Sequence, residues 1–152
     1  MRFFSKSKNQ TSSENAAAAA SSSPPIFYNG IPVEISLHVA QSGAHLAEDF
    51  AVLQQEGIEH IIRSRFIPWL KTDVWKDRDD DLIYQGLKLY AIDYCYSKIV
   101  SRYSPTGTDE LIGQFEFCFE SGNEYTADMM ESVAMQVYVW KGKVLKVDGF
   151  EV

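Results

Sequence analysis

The chain has 152 residues, of which 45% are hydrophobic and 13% aromatic; this composition excludes a disordered chain and is sufficient for one folded domain. Its formal net charge is −7, and residues 1–30 are net positive, so the remainder is more acidic still. An acidic body repels phosphate backbones, which disfavours nucleic-acid binding and favours a basic protein partner. No apolar run approaches the ~20 residues that cross a bilayer, so we expect no membrane association.

Residues 1–25 form a low-complexity segment of serine, alanine and polar residues that ends at two prolines. A segment so poor in large apolar side chains cannot offset the entropy lost on ordering. We therefore predict a disordered tail over 1–25 and a single α+β domain over 26–152. The two cysteines, Cys95 and Cys118, suggest reduced thiols in a cytoplasmic protein, with one bridge between neighbouring strands as the alternative.

The first half of the domain predicts a strand followed by helix. Apolar and polar residues alternate over Ile31–Val39, the pattern of a half-buried strand. Ala44–Lys71 has apolar residues at helical spacing, with Asp49 on its outer face. Gly57 interrupts this segment, and Pro68 is expected to end regular helix at about Ile67. One long bent helix and two short helices fit the spacing equally well.

A charged loop over Thr72–Asp81 precedes a short helical turn that runs through Gln85. Asp79 or Asp80 is suited to cap this turn, because an aspartate carboxylate accepts hydrogen bonds from free amide groups. Gly86 is expected to supply the left-handed residue after the turn.

Two strands with one aromatic face follow this turn. Leu87–Ser97 is typical of a strand with Tyr90, Ile92, Tyr94 and Tyr96 on one side. In Leu111–Glu120 three phenylalanines alternate with polar residues, so that Phe115, Phe117 and Phe119 face away from Gln114, Glu116, Cys118 and Glu120.

A hairpin closes the chain, with Val133–Trp140 and Lys143–Val147 joined by Lys141-Gly142. The two-residue turn places Val139 opposite Val144 and Tyr138 opposite Leu145. Both faces of the hairpin carry apolar groups, so it is either covered on both sides or exposes an aromatic patch around Tyr138 and Trp140. The predicted fold is α+β, an antiparallel sheet of four to five strands with one long or two short helices packed on one face.

No catalytic or cofactor-binding motif is found, so we expect a non-enzymatic protein without a cofactor or metal. The three histidines lack a metal-binding spacing. Asp77–Asp81 has the first acids of a calcium loop, but Leu82 replaces the required glycine and Lys88 the bidentate glutamate. The glutamates of the phenylalanine-rich strand lie on its polar side, where a carboxylate is exposed and unsuited to acid–base catalysis.

The main functional signal is an acidic region from Asp73 to Glu131, which has thirteen acidic and five basic residues and includes several aromatic side chains. Aromatic side chains supply buried area at protein interfaces, and charges supply specificity. The region therefore predicts a protein-binding surface. The alternative is that its tyrosines belong to the core or the edge of the sheet.

The order of elements over residues 27–152 is similar to that of small, mostly uncharacterised bacterial α+β domains whose genes often lie near polymorphic or contact-dependent toxins. Many of those domains are suspected immunity proteins. The similarity rests on the helical pattern from Phe50 to Leu70, the Asp80–Tyr84 turn, the two following strands and the closing segment Val137–Gly149.

This resemblance implies a cytoplasmic protein that neutralises one cognate toxin, or another basic protein, by occluding its active site. A nuclease cleft is basic, and an acidic surface can occupy it in place of substrate. The contact residues that follow from the resemblance are Trp75, Asp79, Asp80, Asp81, Glu116, Glu120 and Glu124.

Two other functions stay open at this point. The first is a small-ligand-binding domain whose pocket, between helix and sheet, is lined by Tyr90, Tyr94 and Phe117. The second is a structural subunit of a larger assembly, with residues 1–25 as a tether and self-association through the Tyr138 and Trp140 face.

Overall fold

The structure, a computed structural model, describes residues 25–35, 43–72, 75–99, 110–128 and 132–151. The predicted tail over 1–25 lies outside these residues except for Pro25, as does the second half of the predicted strand Ile31–Val39. Within the described ranges, no helix is both long enough and apolar enough to cross a membrane.

The described chain forms six strands and three helices. The strands are β1 (Phe27–Tyr28), β2 (Ile31–Ile35), β3 (Leu87–Ile99), β4 (Glu110–Ser121), β5 (Val133–Trp140) and β6 (Lys143–Glu151). The helices are α1 (Gly43–Glu56), α2 (residues 58–70) and α3 (Asp80–Gly86). A 3₁₀ turn, Glu124–Thr126, lies between β4 and β5.

The predicted α+β class is confirmed, but the prediction of a purely antiparallel sheet of four or five strands is wrong. The six strands lie in chain order, and β2 runs parallel to β3 while all other neighbours are antiparallel. Parallel neighbours require a crossover of a dozen or more residues. The helical region between β2 and β3 supplies that crossover, and β1 is too short to show alternation in the sequence.

The predicted helical segment is confirmed, with its break at Gly57, whose φ of 96° interrupts the helix. The expected end at Ile67 is wrong. Helix α2 changes from α-helical Ile58–Ile61 to a π-helical turn, Ile62–Phe66, and resumes as Ile67–Leu70. The wider π turn comes just before Pro68, where a regular turn would bring the proline ring against an earlier carbonyl.

Helix α3 begins as predicted and ends differently. The Asp79 carboxylate accepts hydrogen bonds from the backbone amides of Asp81 and Leu82, at 2.9 and 3.2 Å. Gly86 is not in the left-handed region, so that prediction is wrong. A side chain at Gly86 would overlap Thr126, whose hydroxyl donates to the Gly86 carbonyl at 2.9 Å. Close packing is the reason for a glycine at this position.

The sheet has an inner face, which packs against α1 and α2, and an outer face on its opposite side. Phe50 of α1 contacts Phe115, and Phe66 of α2 stacks on Phe119, with ring centroids 5.8 and 5.5 Å apart. The buried side chains of the inner face are Val33, Ile92, Tyr94, Phe115, Phe117, Phe119, Val133, Met135, Val137 and Val139. The predicted phenylalanine face of β4 is confirmed.

Two bulges change the side on which residues lie. The register between β3 and β4 shifts between Leu89 and Ala91, so Tyr90 has no partner and is 40% exposed. Its predicted place beside Ile92 and Tyr94 is wrong, because an extra residue reverses strand alternation.

The closing hairpin contains the second bulge. Its turn is confirmed, since Lys141 and Gly142 have φ angles of 47° and 77°. Val139 pairs with Val144 as predicted, but Tyr138 pairs with Lys146 rather than Leu145.

Candidate protein-binding face

A row of polar side chains crosses five strands on the outer face. The pairing registers align Glu34 with Asp93, Asp93 with Glu116, Glu116 with Gln136, and Gln136 with Asp148. Directly paired residues point to the same side of a sheet. We call these five residues the polar row. Glu116 is a predicted contact residue, and the tertiary structure places it at the centre.

Negative charge is concentrated at one end of the polar row. Glu34, Asp93 and Glu116 occupy adjacent strands, and no lysine or arginine of the described residues forms an ion pair with them. Like charges directly opposite one another destabilise a sheet. Partial burial, followed by the charges of Glu116 and Glu34, raises the pKa of the Asp93 carboxyl.

The other end of the polar row is compensated within the molecule. The Gln136 amide donates to Glu116 at 3.4 Å and its oxygen accepts from the Tyr138 hydroxyl at 2.9 Å. Lys146 forms an ion pair with Asp148 at 3.0 Å. Within the polar row, the carboxylates without a basic partner are therefore those of Glu34, Asp93 and Glu116.

The aromatic side chains of Tyr138 and Trp140 lie on the same face as the polar row. Tyr138 and Trp140 are both half-buried. The Lys146 ammonium lies 5.1 Å from the Tyr138 ring centroid, and the Lys141 ammonium 4.8 Å from that of Trp140. The outer face of the hairpin therefore combines partly accessible rings with charged groups, a composition common at protein interfaces.

Both thiols are free and lie on the outer face. Cys95 pairs with Gln114 and Cys118 with Ala91, so they are not cross-strand partners. The Cys118 sulfur, with carboxylate oxygens of Asp93 and Glu116, forms a group whose atoms lie within 4.8 Å of one another, close enough for one metal ion. Burial, then Glu116, raises the pKa of Cys118 to about 12, and a metal would have to displace that proton.

The predicted residues of the loop and helix α3 are engaged within the molecule. Trp75 is 5% exposed and packs beneath the Arg78 guanidinium, 5.2 Å from its ring centroid. Asp79 caps α3, Asp80 pairs with Lys71 at 2.6 Å, and Asp81 pairs with Arg63. None of these four residues belongs to the polar row.

The three predicted glutamates are separated. Glu116 belongs to the polar row, Glu120 lies further along β4 and contacts Lys88 at 3.5 Å, and Glu124 is exposed on the 3₁₀ turn. The prediction omits Glu34, Asp93 and Asp148. Alternation in β2 and β3 gives Glu34 and Asp93 an outward direction, but only strand register aligns them with Glu116.

The predicted ligand pocket is not formed by its three residues. Tyr94 and Phe117 are completely buried in the core, and Tyr90 faces solvent at the bulge. The comparisons with known proteins add no assignment, since no family model, curated protein or solved structure matches the chain.

Proposed function

We propose that the protein binds a basic surface of a partner protein through its outer face, and that it neutralises a cognate toxin in the manner of an immunity protein. The observation that carries the proposal is the line of three carboxylates, Glu34, Asp93 and Glu116, without a basic partner among the described residues. The rest of the polar row, with Tyr138 and Trp140, completes the proposed surface.

The spacing of the three carboxylates suits a protein partner. Neighbouring strands are ~4.8 Å apart, so three carboxylates on adjacent strands span ~10 Å. Lysine or arginine side chains of a partner match such a line, and arginine binds a carboxylate through two parallel hydrogen bonds. A bound cation also relieves the like-charge repulsion across β2, β3 and β4.

The acidic character of the whole chain supports the same class of partner. Opposite fields steer encounter and raise the association rate, which then falls as salt screens the charges. The acids of α3 are less suited to the contact, because each already caps the helix or holds a cation of its own chain.

The test is capture from lysate of the source organism with three forms of the full chain: wild type, Asp93→Asn/Glu116→Gln and Glu48→Gln/Glu59→Gln. Both double variants remove two negative charges, but Glu48 and Glu59 lie on helices α1 and α2. We call Asp93→Asn/Glu116→Gln the row variant and Glu48→Gln/Glu59→Gln the helix variant. We expect that wild type and the helix variant retain one basic protein in stoichiometric amount, and that the row variant does not. Affinity should fall about tenfold or more, as for charges buried in an interface.

The captured protein then tests the immunity role. Its expression should arrest growth of a host cell, and co-expression of the wild-type chain should restore growth while the row variant does not. Equal retention by all three forms, or no retained protein, would contradict the outer-face interface. Retention of a harmless protein would keep the interface and contradict the immunity role.

A further inference from the structure

A cavity of about 300 Å³ lies between the β1–β2 turn, helix α3 and the start of β3. Its floor includes Ile62, Leu89 and Phe119, and both Ile62 and Phe119 are 3% exposed. This volume falls at the lower end of the range for small-molecule sites. The cavity contains none of the polar row, so it is separate from the proposed protein-binding face.

Four side chains around the cavity carry hydrogen-bonding groups without a formal charge. They are Tyr28, Asn29, Tyr84 and Gln85, of which Asn29 and Gln85 are exposed and the tyrosines half-buried. Asn29 and Gln85 therefore lie on the solvent side of the cavity, and the buried apolar side chains form its floor. Ligand sites have this arrangement, in which apolar walls hold the body of a molecule and a few polar groups orient it.

The two tyrosines form a pair with capacity for a further partner. Both tyrosines line the cavity, and each influences the pKa of the other. A phenol has one donor and two acceptor positions, so the two hydroxyls together offer several hydrogen-bonding positions to a ligand. Burial raises the pKa of Tyr28 and raises that of Tyr84 to about 12, so both hydroxyls stay protonated and neutral.

The described residues that line the cavity offer no counter-ion for a charged ligand. None of the lining residues is charged. The Arg63 guanidinium lies 4.2 Å from the Tyr84 ring centroid, but it is held by Glu59 at 2.8 Å and by Asp81. A charged ligand would lose its hydration without gaining an ion pair in return. A neutral ligand has a much smaller cost of dehydration, so the cavity favours it.

We propose that this cavity binds a neutral, mainly apolar small molecule of about ten to fifteen non-hydrogen atoms. Its carbonyl or hydroxyl group bonds with Tyr28 and Tyr84, and its apolar part rests on Leu89 and Phe119. The sequence does not reveal this site, because its walls come from β1, β2, α2, α3, β3 and β4.

The test uses three probes of one shape and different charge: benzamide, benzoate and benzamidine. Each is titrated into the full ¹⁵N-labelled chain, and amide shifts are followed by NMR. We expect benzamide to shift the amides of Asn29, Gln85 and Leu89 with a dissociation constant of about 1–10 mM, as its small size allows. The two charged probes should bind at least about tenfold more weakly.

Three variants locate the binding. Leu89→Trp fills the cavity and should abolish the benzamide shifts, and Tyr84→Phe should weaken binding about fivefold by removing one hydroxyl. Leu82→Trp is the matched control, because Leu82 is 41% exposed on α3 and does not line the cavity. If Leu89→Trp fails to fold, the comparison of benzamide affinity between Tyr84→Phe and Leu82→Trp tests the location of the site.

The proposal is overturned if benzamide shifts none of these amides, if the three probes bind equally, or if Tyr84→Phe binds like wild type. The variant Asp93→Asn/Glu116→Gln should bind benzamide normally. Failure of the cavity proposal therefore leaves the protein-binding proposal intact, and the converse also holds.

Discussion

Asp49 is a carboxylate whose surroundings differ from those its sequence pattern indicates. The helical pattern places it on the outer side of α1, but the side chain is half-buried and accepts a hydrogen bond from the fully buried Tyr94 at 2.7 Å. A side chain at Gly113 would overlap this carboxylate. Burial raises the pKa of Asp49, against smaller lowering effects of Tyr94 and His45.

The raised pKa of Asp49 determines the direction in which the stability of the fold changes with pH. The folded state holds the Asp49 proton more tightly than the unfolded state, so folding loses stability as pH rises through the folded pKa. Asp49→Asn cannot ionise and keeps an oxygen for the Tyr94 hydroxyl. We expect the variant to be more stable than wild type at pH 7, with a gain that fades as pH falls toward the ordinary value of 3.8.

Urea denaturation of both forms between pH 3 and pH 7 measures this difference, and comparison at each pH cancels the other carboxyl groups. Glu48→Gln, on the exposed neighbouring residue, is the control for loss of one charge. An Asp49→Asn variant that is less stable at pH 7 would mean that the bond between carboxylate and Tyr94 outweighs the cost of burial.

At the scale of elements, two neighbouring aspartates at the start of α3, Asp79 and Asp80, have the same charge but different roles. Asp79 caps the helix through two backbone amides, while the neighbouring Asp80 forms a partly exposed ion pair with Lys71. A lost N-cap costs ~1 kcal/mol, and an exposed ion pair about 0.5 kcal/mol or less. We therefore expect Asp79→Ala to lower the free energy of unfolding more than Asp80→Ala.

Chemical denaturation measures the free energy of unfolding of both variants. Because each variant loses one negative charge, the difference between them reports the capping hydrogen bonds. Equal losses would show that the charge near the helix terminus, rather than the cap geometry, stabilises α3. The same variants bear on binding, since both aspartates were candidate contact residues and neither belongs to the polar row.

At the scale of the whole molecule, the described core is formed by residues from Val33 to Val139. Residues 1–24 are poor in large apolar side chains and are expected to add little burial. We expect deletion of residues 1–24 to leave the melting temperature unchanged within about 2 °C. A fall of several degrees, seen by circular dichroism, would show that the tail packs on the domain and would contradict the predicted boundary.

The sequence by itself determined the features that depend on residues close together in the chain. The Asp79 cap, the Lys141-Gly142 turn and the phenylalanine face of β4 each follow from local hydrogen bonding, backbone conformation or alternation. The α+β class follows from the same local patterns, because a periodic apolar face must be buried against another element.

Only the tertiary structure decided what depends on distant residues. The helices between β2 and β3 permit parallel pairing without requiring it, so long-range packing decides the direction of β2, and one extra residue at Tyr90 reverses the alternation of β3. Burial of Trp75 and the ion pair between Asp81 and Arg63 likewise depend on residues that are distant in the chain. Within the polar row only Glu116 was predicted as a contact residue, since its alignment with Glu34 and Asp93 is a property of strand register, which no local pattern encodes.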